Sequence, residues 1–376
     1  MIKKTYDIVI VGAGIVGAAC ADECARRAMN VAVVDCDVVG GGATGAAMGH
    51  IVVMDDSEAQ FALTRFSQQL WQELRPELPA DVEYEQCGTI WVAADEDEMR
   101  EVRCKEAYYG KRGVPVTVLD AACLQELEPN LRQGMTGGLL VPEDGVLYPP
   151  CAARFLMSRA HSRGAKTYFD SPASRIGKGC VRLANGVEFS AGTIVNAAGA
   201  SSTSLTPGLE IKKRKGHLAI TDRYPGFVRH QLVELGYLKS AHSITADSVA
   251  FNVQPRITGQ VLIGSSRQYD VEHKQVDHTI LARMLHRAQQ YMPGLAHLST
   301  IRVWTGFRAA TPDKLPFIGP WPEDPSVYLA TGHEGLGITT SLATARLLVN
   351  QITGADSPIS IAPYLPSRVV SEHAHV

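Results

Sequence analysis

Runs of apolar residues mark out the elements of this chain, and their period changes from place to place. Tyr6 to Val11 is an apolar run of strand length, interrupted only by Asp7, that stops at Gly12. Val16, Cys20 and Cys24 then recur every four residues, with Asp22, Glu23, Arg26 and Arg27 opposite them, which predicts an amphipathic helix. A second short strand is expected at Val31–Val34. Helices are expected at Phe61–Leu74, Asp95–Arg112, Cys151–Arg163 and Thr279–Met292, and a helical turn over Cys123–Leu127. Strand-like alternation occurs at Glu83–Ala93, in VPVTVLD, in KTYFD and at Thr193–Ala200. Asn185-Gly186 between VRL and VEF predicts a hairpin. HLAIT, VAFNV and QVLIGSS predict a mostly antiparallel sheet. Met135–Pro150 reads as a glycine–proline connector. Near the end, the strand VYLATG leads through HEGLG into a helix from Ile338 to Thr353. Leu342, Ala345, Val349 and Ile352 mark its apolar stripe and Gly354 its stop. No internal repeat is present.

The first break carries chemistry. Gly12, Gly14 and Gly17 form G-x-G-x-x-G between a strand and a helix, and Asp35 closes the second strand eighteen residues later. Each part has a task at a dinucleotide. Gly12 permits the tight turn, Gly14 lets backbone approach a pyrophosphate, and Gly17 lets helix and strand pack closely. Asp35 can accept hydrogen bonds from ribose hydroxyls. The pyrophosphate charge would rest on free N–H groups at the helix start. An acid at position 35 favours an unphosphorylated ribose, hence FAD or NAD rather than NADP. The run Gly40–Ile51, GGGATGAAMGHI, suits a loop brought against such a cofactor, with Thr44, Ala47 and His50 in it.

Composition narrows the class. The 376 residues suit about two domains, with 45% hydrophobic and 20% charged residues. A net charge of −3 without a long basic run argues against nucleic acid or anionic membrane as partner. No apolar run reaches eighteen residues, so no transmembrane segment is expected, nor a secretory leader, and a cytoplasmic location follows as the default. The eight cysteines show neither C-x-x-C nor any zinc or iron–sulfur spacing, so no metal is expected.

Four segments resemble the FAD-dependent amino-acid oxidoreductases, the group of glycine, sarcosine and D-amino-acid oxidases. They are IVIVGAGIVGAACA, GGATGAAMGHI, TIVNAAGA, and GFRAATPDKLPFIGP followed by ATGHEGLGIT. They span nearly the whole chain, and the style is closest to flavin subunits of hydroxyproline dehydrogenase, opine oxidase and hydrogen cyanide synthase. The resemblance implies a Rossmann-type FAD domain (1–80, 146–215 and 301–376) interleaved with an α+β substrate domain (81–145 and 216–300). It also implies oxidation of an amino acid's C–N bond, with proline, hydroxyproline or opine-like secondary amines as first candidates. A simple oxygen-using oxidase and an electron-relay subunit stand as alternatives, and an iron–sulfur or second flavin subunit would be the electron-accepting partner.

By the same resemblance Arg308 binds the substrate carboxylate, and His50 contacts substrate or tunes the flavin. Backbone N–H groups at Gly335, Leu336, Gly337 and Ile338 would face the negative charge that develops on the flavin. Ala198 and Gly199 would lie by the first turn, and His333 would fix the last one. Tyr148, His217, Tyr237 and Tyr269 are candidates for the pocket wall. No catalytic base is required, since a neutral amine lets hydride leave directly. Gly306 stands where sarcosine oxidase carries its flavin-linked cysteine, so FAD is expected to be non-covalent.

Overall fold

The strand expected at Tyr6 is Lys4–Val11, at the centre of a sheet in the computed structural model, which describes residues 4–236 and 247–370. Its neighbours are Val31–Val34 on one side and Glu188–Asn196 on the other, both parallel to it. Lys166–Tyr168 and Asp324–Thr331 extend the parallel order outward. Phe317–Trp321 closes one edge antiparallel. Alternation along the central strand decides what covers each face. Ile8 and Ile10 join a core with the helices Ile15–Arg26, Glu58–Leu74, Pro149–Ser162 and Gly337–Thr353. Val9 and Val11 point the other way, to Phe189, Phe317 and Trp321.

The second sheet has eight strands. Their order is Thr300–Ala310, Lys212–Arg223, Gln260–Arg267, Ser248–Pro255, Gln231–Glu234, Thr89–Ala93, Gly137–Val141 and Thr117–Asp120. Every pairing is antiparallel except Gln231–Glu234 with Thr89–Ala93. Helix His278–Tyr291 covers one face through Met284, Ala288 and Tyr291, whose ring stacks on Phe251 at 4.4 Å.

Several expectations change. The connector at Met135–Pro150 contains a buried strand, because Gly137 and Gly138 let neighbouring backbones close in. A Cβ on them would lie 2.2 Å from the Leu119 carbonyl oxygen and 2.6 Å from that of Trp91. Glu83–Ala93 is extended in register only from Thr89. The domain limits expected at 215/216 and 300/301 fall within strands Lys212–Arg223 and Thr300–Ala310, which pair with each other in the second sheet. The polar side of the first helix is a solvent face only at Arg26 and Arg27. Asp22 and Glu23 are buried, the first paired with Arg159 of helix Pro149–Ser162 and with Arg163 just past its end, the second with Arg26 and Arg346. Cys20 and Cys24 on the other side are buried too.

Candidate active site

The glycine turn is built as its motif requires. Gly12 has φ +113°, and a Cβ there would sit 2.4 Å from the Ala197 carbonyl oxygen. Ala197 N–H in turn donates to the Val11 carbonyl, 2.8 Å, so TIVNAAGA packs against the turn as its small residues allow. Gly17 has no room at all, since its Cβ would lie 1.9 Å from the Gly12 carbonyl oxygen. Gly14 is the N-cap and offers no capping side chain. Asp35 holds the turn, accepting from Ala13 N–H through Oδ2 and from Asp37 N–H through Oδ1. Each oxygen keeps a further lone pair for a ribose hydroxyl.

The loop after the second strand seats on this turn. Gly40 N–H donates to the Ala13 carbonyl, 2.9 Å, and Thr44 Oγ1 accepts from Ile15 N–H, also 2.9 Å. Ala47 packs on the nearby core. The loop then crosses the second sheet at Gly306, where a Cβ would stand 2.4 Å from that of Ala46, and the Trp304 indole N–H donates to the Ala46 carbonyl, 3.3 Å. Gly306 therefore has room for no side chain, a cysteine included.

At the far end, helix Gly337–Thr353 starts without a side-chain cap, and Gly337 approaches Val16, with its Cβ position 4.0 Å from Val16 Cγ2. Two helix N-termini thus meet, and both favour negative charge. Of the four N–H groups expected to face the flavin, Leu336's is already donated to the His333 carbonyl, 2.9 Å. Gly335, Gly337 and Ile338 are the ones left to the reading. The His333 ring bonds Thr344 Oγ1 at 2.9 Å, and burial lowers its pKa to about 3, so it braces the turn as a neutral group. Ala198 N–H is taken by Asn196 Oδ1, and Gly199 (φ +56°) offers its carbonyl to Thr331.

Arg308 lies opposite Arg214 in the strand pair, so the two share a face with Gly216, Leu218, Trp304 and Gly306. Its guanidinium lies over Gly216, 2.5 Å from where a Cβ would be, and Nη1 donates to the Ser266 carbonyl at 3.0 Å. A Cβ on Gly335 would lie 3.8 Å from the Arg308 Nε and 3.9 Å from its Cδ. Arg214 is paired with Glu334 of the terminal turn. His50 forms a two-residue strand with Ile51 against Gly145–Val146. Burial lowers its pKa to about 4, the Gln254 carboxamide opposing this and the Arg308 charge adding to it. His50 and Gln254 are neighbours, yet neither His50 Nε2 nor Gln254 Oε1 has a partner at hydrogen-bonding geometry among the described residues.

The other expected wall residues divide. His217 is on the opposite face from Arg308, with Ser266 Oγ at 2.9 Å from Nδ1 and Asp277 N–H donating to Nε2 at 3.0 Å. It is a satisfied, buried ring and no pocket wall. Tyr148 lines a cavity under the Arg256 guanidinium, and Tyr269 lies under that of Arg214. Tyr237 is outside the described residues. Sequence reasoning missed Gln254 and Asp144. Asp144 is buried against Val53 N–H and Gln68, and burial raises its pKa to about 7.

These shifts predict acid lability. Between pH 6.5 and 4 the folded His50 and His333 stay neutral while the unfolded rings bind protons, so stability falls as pH falls. Asp144 has the reverse sign, binding its proton in the fold up to about pH 7 against 3.8 when unfolded. Over these three groups alone, two protons against one amount to a loss of about 1.4 kcal/mol per pH unit on acidification; the lowered His217 adds to it and the raised Asp22 and Glu85 oppose it. Urea midpoints that stay level from pH 6.5 to 4 would contradict it.

The cradle fits a dinucleotide: two converging helix starts, a turn without room for side chains, and buried unpaired polar atoms beyond it. Comparison with known proteins agrees. Glycine oxidase of Geobacillus kaustophilus is 27% identical over 380 residues, covering 98% of both chains. Its crystal structure superposes with a TM-score of 0.88 at 26% identity, over 97% of this chain and 99% of that one. Hydrogen cyanide synthase subunit HcnC of Pseudomonas aeruginosa is 27% identical over 429 residues, covering 100% of this chain and 99% of its own. L-proline dehydrogenase from P. horikoshii shares the fold, with a TM-score of 0.88 at 22% identity over 99% of both chains. The DAO family model, described as FAD dependent oxidoreductase, matches residues 7–351, and the chain belongs to that family.

Proposed function

We propose that this enzyme oxidises the C–N bond of a small amino acid to an imine, with a secondary amine as the preferred donor. FAD supplies the two-electron acceptor, held by the Gly12–Gly17 turn, Asp35, the Thr44–Ala47 loop and the Gly335–Ile338 turn. The observation that carries the reading is Arg308, set on the sheet face that the cofactor loop crosses and beside Gly335. A guanidinium there grips a carboxylate at two points and fixes which hydrogen of the substrate faces inward. The amine must arrive neutral. Arg308 helps in this, because a cationic field lowers an ammonium pKa, whereas the charge of Arg214 is balanced by Glu334. His50 stays neutral at working pH and adds no competing charge.

The relatives include both a glycine oxidase and a subunit of hydrogen cyanide synthase. The second supports delivery of electrons to a partner protein rather than to oxygen. The test is a visible spectrum of purified protein. It is expected to be yellow and to release FAD on acid precipitation, since Gly306 leaves no cysteine to hold it. Anaerobic titration with proline, hydroxyproline, opines and sarcosine is expected to bleach the colour with at least one of them. Bleaching by none of these or other amino acids removes the proposal. Peroxide formed as fast as a dye is reduced would remove the partner.

A further inference from the structure

Arg214 stands directly opposite Arg308 where the strands Lys212–Arg223 and Thr300–Ala310 pair. Like charges at directly opposite positions destabilise a strand pair, so the fold must answer them. Arg214 is answered by Glu334 of the terminal turn, in an ion pair whose side chains are only 8% and 13% exposed. The Arg214 guanidinium also lies over the Tyr269 ring, 4.9 Å from its centroid. Arg308 takes a different course, lying over Gly216 with Nη1 on the Ser266 carbonyl.

The backbone brings Glu334 to Arg308 as well. Its N–H donates at 2.8 Å to the carbonyl of Ala309, the residue after Arg308. Gly335, the residue after Glu334, has its Cβ position 3.8 Å from Arg308 Nε. Glu334 itself adopts φ +49°, a left-handed conformation that is costly for any residue but glycine and that this docking maintains. An internal carboxylate is therefore tethered beside the guanidinium that the amino-acid reading gives to the substrate carboxylate. Tethering of this kind amounts to an effective concentration on the order of millimolar or higher. A buried carboxylate that loses its partner is strongly destabilising, so without Arg214 the neighbouring charge of Arg308 is where Glu334 would turn.

Resting on that reading, we propose that Arg214 is a positioning residue that holds Glu334 off Arg308. The fold carries a mimic of the substrate carboxylate next to the group that binds it, and the pair with Arg214 keeps the mimic from occupying that group. Arg214 acts through Glu334 and not on the substrate.

Arg214→Met removes the charge and keeps an unbranched side chain. With the amino acid that bleaches the flavin, it is expected to raise KM by about tenfold or more while kcat stays within about threefold of wild type, because competition for a binding group acts on binding. Adding Glu334→Gln removes the competitor and is expected to return KM to within about threefold of wild type. A merely structural role for Arg214 gives no such reversal, since the second substitution only takes away one more contact. Arg214→Lys keeps a charge but not the fork, and is expected to raise KM by a smaller factor that Glu334→Gln again reverses. It decides the matter if Arg214→Met does not fold. An unchanged KM overturns the proposal, and so does a raised KM that Glu334→Gln leaves raised, which would put Arg214 on the substrate itself. If no amino acid bleaches the flavin, the amine-oxidation reading fails by itself, and the pairing is read from unfolding temperatures. The coupling between Glu334→Gln and Arg308→Met is then measured with Arg214 present and with Arg214→Lys or Arg214→Met. A coupling that grows by several degrees when Arg214 is replaced supports the proposal, and an equal coupling in both overturns it.

Discussion

Arg308→Ala is expected to lower kcat/KM for the amino-acid substrate by roughly 30-fold to several thousand-fold, equivalent to about 2–5 kcal/mol of transition-state stabilisation. The scale is that of truncating a desolvated charge pair. Arg308 is held over Gly216 and against the Ser266 carbonyl, so its fork is aimed before substrate arrives. Pre-organisation of this kind means little is lost in ordering the side chain on binding. Arg308→Lys restores charge without the fork and is expected to recover only part of the loss. Retention of FAD by both variants separates the effect from misfolding. Wild-type kcat/KM in the alanine variant would remove the residue from the site.

The glycine turn gives the second large effect, and its glycines are expected to fail differently. Gly17→Ala forces a methyl group to within 1.9 Å of the Gly12 carbonyl, a backbone atom that cannot step aside. That variant is expected to lose FAD and also several kcal/mol of apoprotein stability, on the order of 3 or more. The Cβ of Gly14→Val has only Thr44 Oγ1 within 4 Å, at 3.3 Å, and the backbone angle there is an ordinary extended one. The substitution is expected to cost the apoprotein about 1 kcal/mol and still to abolish FAD binding by blocking the approach to the pyrophosphate. FAD-to-protein absorbance ratios and apoprotein unfolding curves distinguish the two. Full flavin content in Gly14→Val would mean that the pyrophosphate lies elsewhere.

Much of this was legible because the chemistry is local. The strand, turn, helix and acid from Tyr6 to Asp35 are contiguous, and their meaning depends on spacing alone. Features set by distant partners were harder to read. Asp22 and Glu23 look like a solvent face until Arg159 and Arg346 arrive from two other helices, and Arg163 from just past the end of the first of these. In VAFNVQP the polar Asn252 and Gln254 alternate with apolar residues as if facing water. Both are buried, because a sheet sandwiched between a helix and the cofactor loop has no wet side. His217 missed the pocket for a related reason. One residue of offset along a strand moves a side chain through the sheet, and only the pairing with Thr300–Ala310 reveals the phase.

The placement of the first helix between Pro149–Ser162 and Gly337–Thr353 has a consequence for biosynthesis. Its buried carboxylate Glu23 meets Arg346 only after more than three hundred further residues have been made. At about 5–20 residues per second, ribosomes leave that surface waiting for roughly 15–65 seconds. The nascent chain must spend that interval with its flavin cradle half built, and a chaperone that shields the first strand and helix would act on this protein from its earliest residues. The approach of Gly337 to Val16 likewise belongs to the end of synthesis.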